Sequence, residues 1–496
     1  MTSPPPGVPP DLADVTPVQR RWGLFDELGL SVRYSFSRDT RDGLFADGVR
    51  GDSEPRRTVL HETTHLYQSL ATPYGAYVYR LKHAQTLLAL NVIKALADGG
   101  LAVKSPLLRW VRRLPASAAR EAAFEQLNLW YLLEAVLLLL EGDPETYARH
   151  SARIYKRTGH TLATLFNLAD GVLGFLGDGD PTSAPEASRF PVSEPADARE
   201  LLLEMLLATM LSVTDVLEGA ATVAERWNAG GVVGHLADIV GPRAPASNRR
   251  GPDLALGYWR GLQRHRFVLA YGAAAELALC SPILPEHGEL RTQQTTVADL
   301  HPTLRLFNAI TRPSVSPPSD LSDVPRFQSE LCEANGWPEP WTLAREATRR
   351  PRPPGTRFAL LHLADTFRVQ LPAPFVDLSV WRDGLQTPTA LFFKDLFVHA
   401  VIEYEDAFLT HKDKERLTQL LLDFVVQSYV RSAMVSSRPV AELPFEASED
   451  ELAPYAERLR ELLVDNGLED PVLRVRARPA HQAAPAAQPS ATTADV

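Results

Sequence analysis

The sequence predicts a mainly α-helical protein with one small β-sheet near its beginning. Three observations lead there. Apolar residues recur at helical spacing over 76 to 97, 117 to 141, 145 to 177 and 197 to 228. Proline-rich breaks at 180 to 195, 312 to 325 and 351 to 354 separate these runs. By contrast, LSVRYSF at 30 to 36 alternates apolar and polar residues at period two, and SRDTRDGLFADG after it supplies turn residues.

Taken in order, residues 1–12 are Pro-rich and polar and are expected to form a disordered arm. A first domain is expected over 13–312, closed by the RPSVSPPSD break. Beyond it, 313–470 is expected to be a mainly helical region with strong helices at 389 to 433 and 449 to 466. The Ala/Pro-rich residues 471–496 read as a disordered tail.

Composition narrows the classes of function. The chain has 496 residues, 45% hydrophobic and 23% charged, enough for a large buried core. Its net charge is −10 and its 51 basic residues are scattered, so no stripe marks a nucleic-acid partner. The most apolar run, Leu129 to Leu140, is interrupted by Glu134 and falls short of the ~20 residues that span a bilayer. The N-terminus lacks the basic and apolar regions of a secretory signal, and the two cysteines, Cys280 and Cys332, cannot build a disulfide framework. The expectation is a soluble, cytoplasmic protein with neither membrane nor nucleic acid as its partner.

The chemistry concentrates in TVLHETTHLYQSL, residues 58 to 70. Asp52 or Ser53 can cap a helix here, Pro55 suits its first turn, and ATPYG at 71 to 75 ends it. His61 and His65, four residues apart, then project from one face and can share one metal ion. Glu62 lies ~100° around the helix, where a carboxylate can act as general base on a water. Val59, Leu60, Leu66 and Leu70 suit the remaining faces to a core. A chain with 13 histidines is expected to hold such a pattern by accident only about 0.02 times.

The motif His61-Glu62-Thr63-Thr64-His65 resembles that of the zincin metallopeptidases at every defined position. The resemblance implies a zincin-like core with a small β-sheet beside the HExxH helix, large helical additions and a bound Zn²⁺. Gln68 and Ala71 stand where metzincins have their glycine and third histidine. A gluzincin-like third ligand, a glutamate from a second helix, is implied instead. Leu66 to Ala97 contains no Asp or Glu, so that carboxylate must come from farther along.

The leading candidate is VLEGAATVAERW, 216 to 227, whose Glu218-Gly219-Ala220-Ala221 looks like the EGxA element that carries the third ligand in gluzincin-like proteins. Independently of that resemblance, Asp215, Glu218, Thr222 and Glu225 fall on one helical stripe after nearly apolar turns. A partly buried acidic stripe calls for a cation, either a metal or an arginine. Gly219 costs about 1 kcal/mol relative to Ala inside a helix, which a close approach by a neighbouring helix backbone would explain. Glu134, inside LWYLLEAVLLLL, is the rival ligand. Asp215 and Glu225 are candidates to orient a ligating histidine through its other nitrogen. Tyr258 and His265, in GYWRGLQRHRF, are candidates to stabilise an oxyanion. His399 and Glu403 share a helical face that suits either a second metal or solvent. GxSxG and GxxxxGK[ST] are both absent from the sequence.

The expected function is a zinc metallopeptidase that cuts a restricted set of proteins. His61, His65 and Glu218 hold the ion in this reading, and Glu62 is the general base. Two other readings stay open. One is a catalytically silent or autoinhibited zinc protein that binds a regulatory partner, and the other is a helical interaction module without metal.

Overall fold

The computed structural model describes residues 23–26, 31–34, 57–58, 61–62, 64–65, 68–69, 72–141, 162–178, 211–228, 246–291, 295–312, 315–340, 342–343, 428–443, 457, 460–461, 464 and 475–477. Among them the fold is mainly α. Two short ladders accompany the helices. Gly23–Asp26 (β1) pairs antiparallel with Ser31–Tyr34 (β2), and Ala441–Leu443 (β3) pairs in parallel with Val475–Ala477 (β4). The β4 strand lies within the tail expected to be disordered, while the rest of that tail, the N-terminal arm, and His399 with Glu403 lie outside the described residues.

Described positions between 57 and 69 are all helical, and this histidine segment gives way within a few residues to Pro73–Asp98 (α1). Thr72 makes the junction. Its hydroxyl donates to the Gln68 carbonyl at the end of the segment and accepts from Gly75 N at the start of α1, where Pro73 supplies a φ already suited to a helix. A Cβ at Gly75 would collide with the backbone of Gln68 and Ser69. The missing side chain therefore lets the core helix begin directly against the histidine segment.

Leu107–Arg113 (α2) leads to Ala118–Glu141 (α3), which packs along α1. Leu81, Leu88 and Val92 of α1 and Leu133, Val136 and Leu140 of α3 are all completely buried. By length and composition α3 could cross a bilayer, since the apolar run from Leu129 belongs to a helix of 24 residues. Here its buried face is a core face. Leu162–Asp178 (α4) closes against α1 and α3.

The second half is built around Arg264–Leu279 (α7), whose residues from Phe267 to Leu279 are all buried. A helix apolar on every side belongs at the centre. Around it lie Val213–Asn228 (α5), Ala246–Tyr258 (α6), Pro302–Thr311 (α9) and Val324–Asn335 (α10), with the short Val297–Leu300 (α8) beside α9. Arg305 on α9 is completely buried. It donates to the carbonyls of Leu277, Cys280 and Asp299 and lies 3.9 Å over the Trp337 ring, so it caps the end of α7 while burial lowers its pKa to about 10. His301 caps α9: its Nδ1 accepts from Thr303 N, which leaves Nε2–H to donate to the Leu139 carbonyl on α3.

The expected boundary near 312 does not divide the core. Val315, Val324, Phe327 and Leu331 beyond the break join the same apolar cluster as Tyr77 and Leu88 of α1, and so do Tyr429, Val430, Ala433 and Met434. The prolines at 313, 317 and 318 mark a connection, because the residues after them have an apolar face that packs on α7 and α9.

Candidate metal centre

Backbone geometry places the two histidines. One helical turn apart, His61 and His65 bring their rings together edge to face, with centroids 4.8 Å apart and planes at 83°, and their Nε2 atoms stand 3.1 Å apart. Glu218 enters from α5, 157 residues farther along. Its Oε2 lies 3.1 Å from His61 Nε2 and its Oε1 3.5 Å from His65 Nε2. One donor atom from each residue lies within 4.8 Å of the other two, a group that could hold a metal ion.

Two observations test whether these residues fit zinc. Two nitrogens each about 2.0–2.1 Å from a tetrahedral zinc stand roughly 3.3 Å apart, close to the separations found here. Two imidazoles with one carboxylate also form a donor set that zinc uses when a fourth position is kept for water. The donor set and its spacing fit.

The electrostatics point the same way. Burial alone would push the Glu218 carboxyl up, but the charge of His65 and hydrogen bonds from both histidines outweigh it and hold Glu218 well below the usual carboxylate range. Glu218 therefore stays ionised against the rings. The side chains of His61, His65 and Glu218 are 14%, 12% and 28% exposed, so little water screens the group. Glu62, next to His61 on the segment, is buried.

The segment and α5 are joined beyond the three donors. Gln68, buried, lies one turn after His65 with Oε1 2.9 Å from His65 Nδ1, while its Nε2 donates to the Leu217 carbonyl at 3.1 Å. Sequence reasoning missed Gln68. The available signal was its spacing of three from His65, which puts both on one helical face. Gly219, next to Glu218, meets the Tyr271 hydroxyl of α7 and the Pro252 ring of α6. The close approach expected at Gly219 thus comes from two side chains and not from a helix backbone.

Other candidate residues are placed elsewhere. Asp215 does not turn to a histidine: its Oδ2 accepts from the backbone N and hydroxyl of Ser212, Ser212 Oγ accepts from Asp215 N, and Arg250 lies 3.7 Å away. This is a capping box that starts α5, which explains the buried carboxylate without a metal. Burial pushes its pKa up despite these bonds. The Glu225 side chain lies outside the described residues. Tyr258 is 52% exposed at the end of α6 and meets Phe307 edge to face, while His265 is exposed in the first turn of α7. The sequence between them is no continuous helix, because a turn with Gly261 at φ 84° separates α6 from α7. That break leaves both side chains at the surface. Glu134, the rival ligand, accepts from Gln85 Nε2 at 2.8 Å, a bond between α1 and α3.

No family model matches the chain, and no curated protein or solved structure matches it either.

Proposed function

We propose that this chain is a gluzincin-like zinc metallopeptidase acting on a restricted set of protein or peptide substrates. The observation that carries the reading is the convergence of His61, His65 and Glu218 from segments 157 residues apart, with Glu62 on the same segment as the histidines. The helical additions would surround a zincin-like core in which β1 and β2 form the sheet beside the histidine segment.

Zinc bound there would polarise a scissile carbonyl and lower the pKa of a water. The protein's own residues do the rest. His61, His65 and Glu218 fix the ion, and only neutral imidazoles can do so. Glu62, buried and therefore held in few conformations, takes a proton from the attacking water and delivers it to the leaving amine nitrogen. Peptide hydrolysis needs both transfers, and one carboxylate serves each in turn.

A second reading, a metal site without turnover that serves a regulatory partner, is favoured by the low exposure of the three side chains. One experiment separates the two. Wild-type protein purified without chelator is assayed for zinc and for cleavage of a peptide library, beside Glu62→Gln. The peptidase reading expects one zinc in both proteins, cleavage by wild type, and a loss of at least about 10²-fold in Glu62→Gln. Stoichiometric zinc with no cleavage by wild type would favour the silent site, and absence of zinc would sink both.

A further inference from the structure

The Gln68 amide carries information about the site that the three donor atoms alone do not. The Leu217 carbonyl can only accept a hydrogen bond, so the end of the amide 3.1 Å from it is the NH₂ group. The opposite end, 2.9 Å from His65 Nδ1, is therefore the carbonyl oxygen, which also only accepts. His65 Nδ1 must then carry the ring proton. In the neutral ring that a metal requires, the lone pair is then on Nε2, and this is the atom 3.1 Å from His61 Nε2 and 3.5 Å from Glu218 Oε1.

We infer that Gln68 is a positioning residue that selects the metal-binding tautomer of His65 and, by the same amide, ties the histidine segment to α5 one residue before Glu218. The inference rests on the metal reading above. Geometry gives the amide both tasks at once, because Leu217 and Glu218 are adjacent on α5 and the tether therefore fixes the distance of the carboxylate from the two rings. The amide is buried, with its carbonyl and NH₂ ends both paired. Its backbone is fixed too, since Thr72 Oγ1 donates to the Gln68 carbonyl and α1 begins directly against it. No other uncharged side chain of this length performs both tasks. Methionine has the shape and neither polar end, and glutamate can accept from His65 but cannot donate to Leu217.

The test uses the full chain and Zn²⁺ or Co²⁺ alone. Zinc affinity is measured by competition with a chromophoric chelator, and the visible spectrum of the cobalt-loaded protein reports ligand geometry. Gln68→Met is expected to bind zinc 10- to 100-fold more weakly and to shift the cobalt bands, a change that loss of packing alone would not give. Gln68→Glu is expected to recover at least half of that loss on a logarithmic scale, since it restores the acceptor for His65. Zinc binding by Gln68→Met within twofold of wild type, with an unchanged cobalt spectrum, would overturn the inference while leaving the metal reading intact. Equal weakness of the Glu and Met variants would overturn the tautomer role. Failure of wild type itself to bind either ion would overturn both readings. If Gln68→Met does not fold, imidazole ¹⁵N spectra of zinc-loaded wild type decide, with the His65 signal assigned by its absence from His65→Asn. A protonated Nδ1 on His65 supports the inference, and ligation through Nδ1 refutes it.

Discussion

The hydroxyl of Tyr271 occupies the space that a Cβ on Gly219 would need. Tyr271 is completely buried, and among the described residues its hydroxyl has no hydrogen-bond partner. A side chain on α7 thus sets how close α5 can come, at the residue next to Glu218. Gly219→Ala should therefore destabilise the protein by about 1–3 kcal/mol, even though alanine favours a helix by about 1 kcal/mol. Because the overlap displaces Glu218, zinc should also bind more weakly. Tyr271→Phe removes the obstructing oxygen and should restore part of both losses in the double variant. Urea unfolding and chelator competition measure the two effects.

Metal removal should loosen the whole described fold. A ligand bound only by the native state stabilises it by about 4 kcal/mol at a thousand times its dissociation constant. EDTA is expected to lower the melting temperature of wild type and to leave that of Glu218→Ala unmoved, because the variant has already lost one of three donors. Calorimetry with and without chelator reads the difference.

Acid should destabilise the metal-free protein through its buried histidines. His301 and His83 are held neutral by burial, with pKa values lowered from 6.5 to about 4 and about 3. The unfolded chain takes up these protons first as pH falls. Their stabilisation is therefore complete above pH 6.5 and is lost progressively below it, by roughly 3 kcal/mol for His301 by pH 4. His301→Asn keeps an acceptor for Thr303 N and carries no titrating ring. Chelated variant protein should show a flatter dependence of the urea midpoint on pH between 6.5 and 4.5 than chelated wild type. An identical slope would contradict the assignment.

Asp215 should behave as a helix cap. Asp215→Ala is expected to cost about 1–2 kcal/mol by removing the reciprocal bonds with Ser212. The cobalt spectrum should stay unchanged, in contrast to Gln68→Met. A spectral shift in Asp215→Ala would return that residue to the histidines.

The parts of the site that could be read from sequence are those fixed by local geometry. One helical turn determines how His61 faces His65 whatever the rest of the chain does. Glu218 stood out because an acid following apolar turns needs a partner. The helices α1 and α3 were legible in the same way, from apolar spacing over more than twenty residues. The contacts of Gln68 with Leu217 and of Tyr271 with Gly219 were not legible, since both depend on where packing sets α5 against distant elements. Asp215 misled because a capping box and an acidic stripe share a spacing of three. The turn at Gly261 between Tyr258 and His265 was not legible either, because it interrupts an otherwise amphipathic pattern. The prolines near 313 suggested a domain boundary, whereas the apolar face of α10 reaches across them to the core.

The 157-residue separation of His61 from Glu218 gives a bound ion one more consequence. Such an ion would act as a removable staple on a very long loop. By the loop-entropy relation used for cross-links, closing a loop of that length restricts the unfolded chain by roughly 5 kcal/mol. During synthesis the HETTH segment would leave the ribosome long before its third donor exists. If the chain is the peptidase proposed above, a nascent chain would therefore stay inert until α5 had been made and docked.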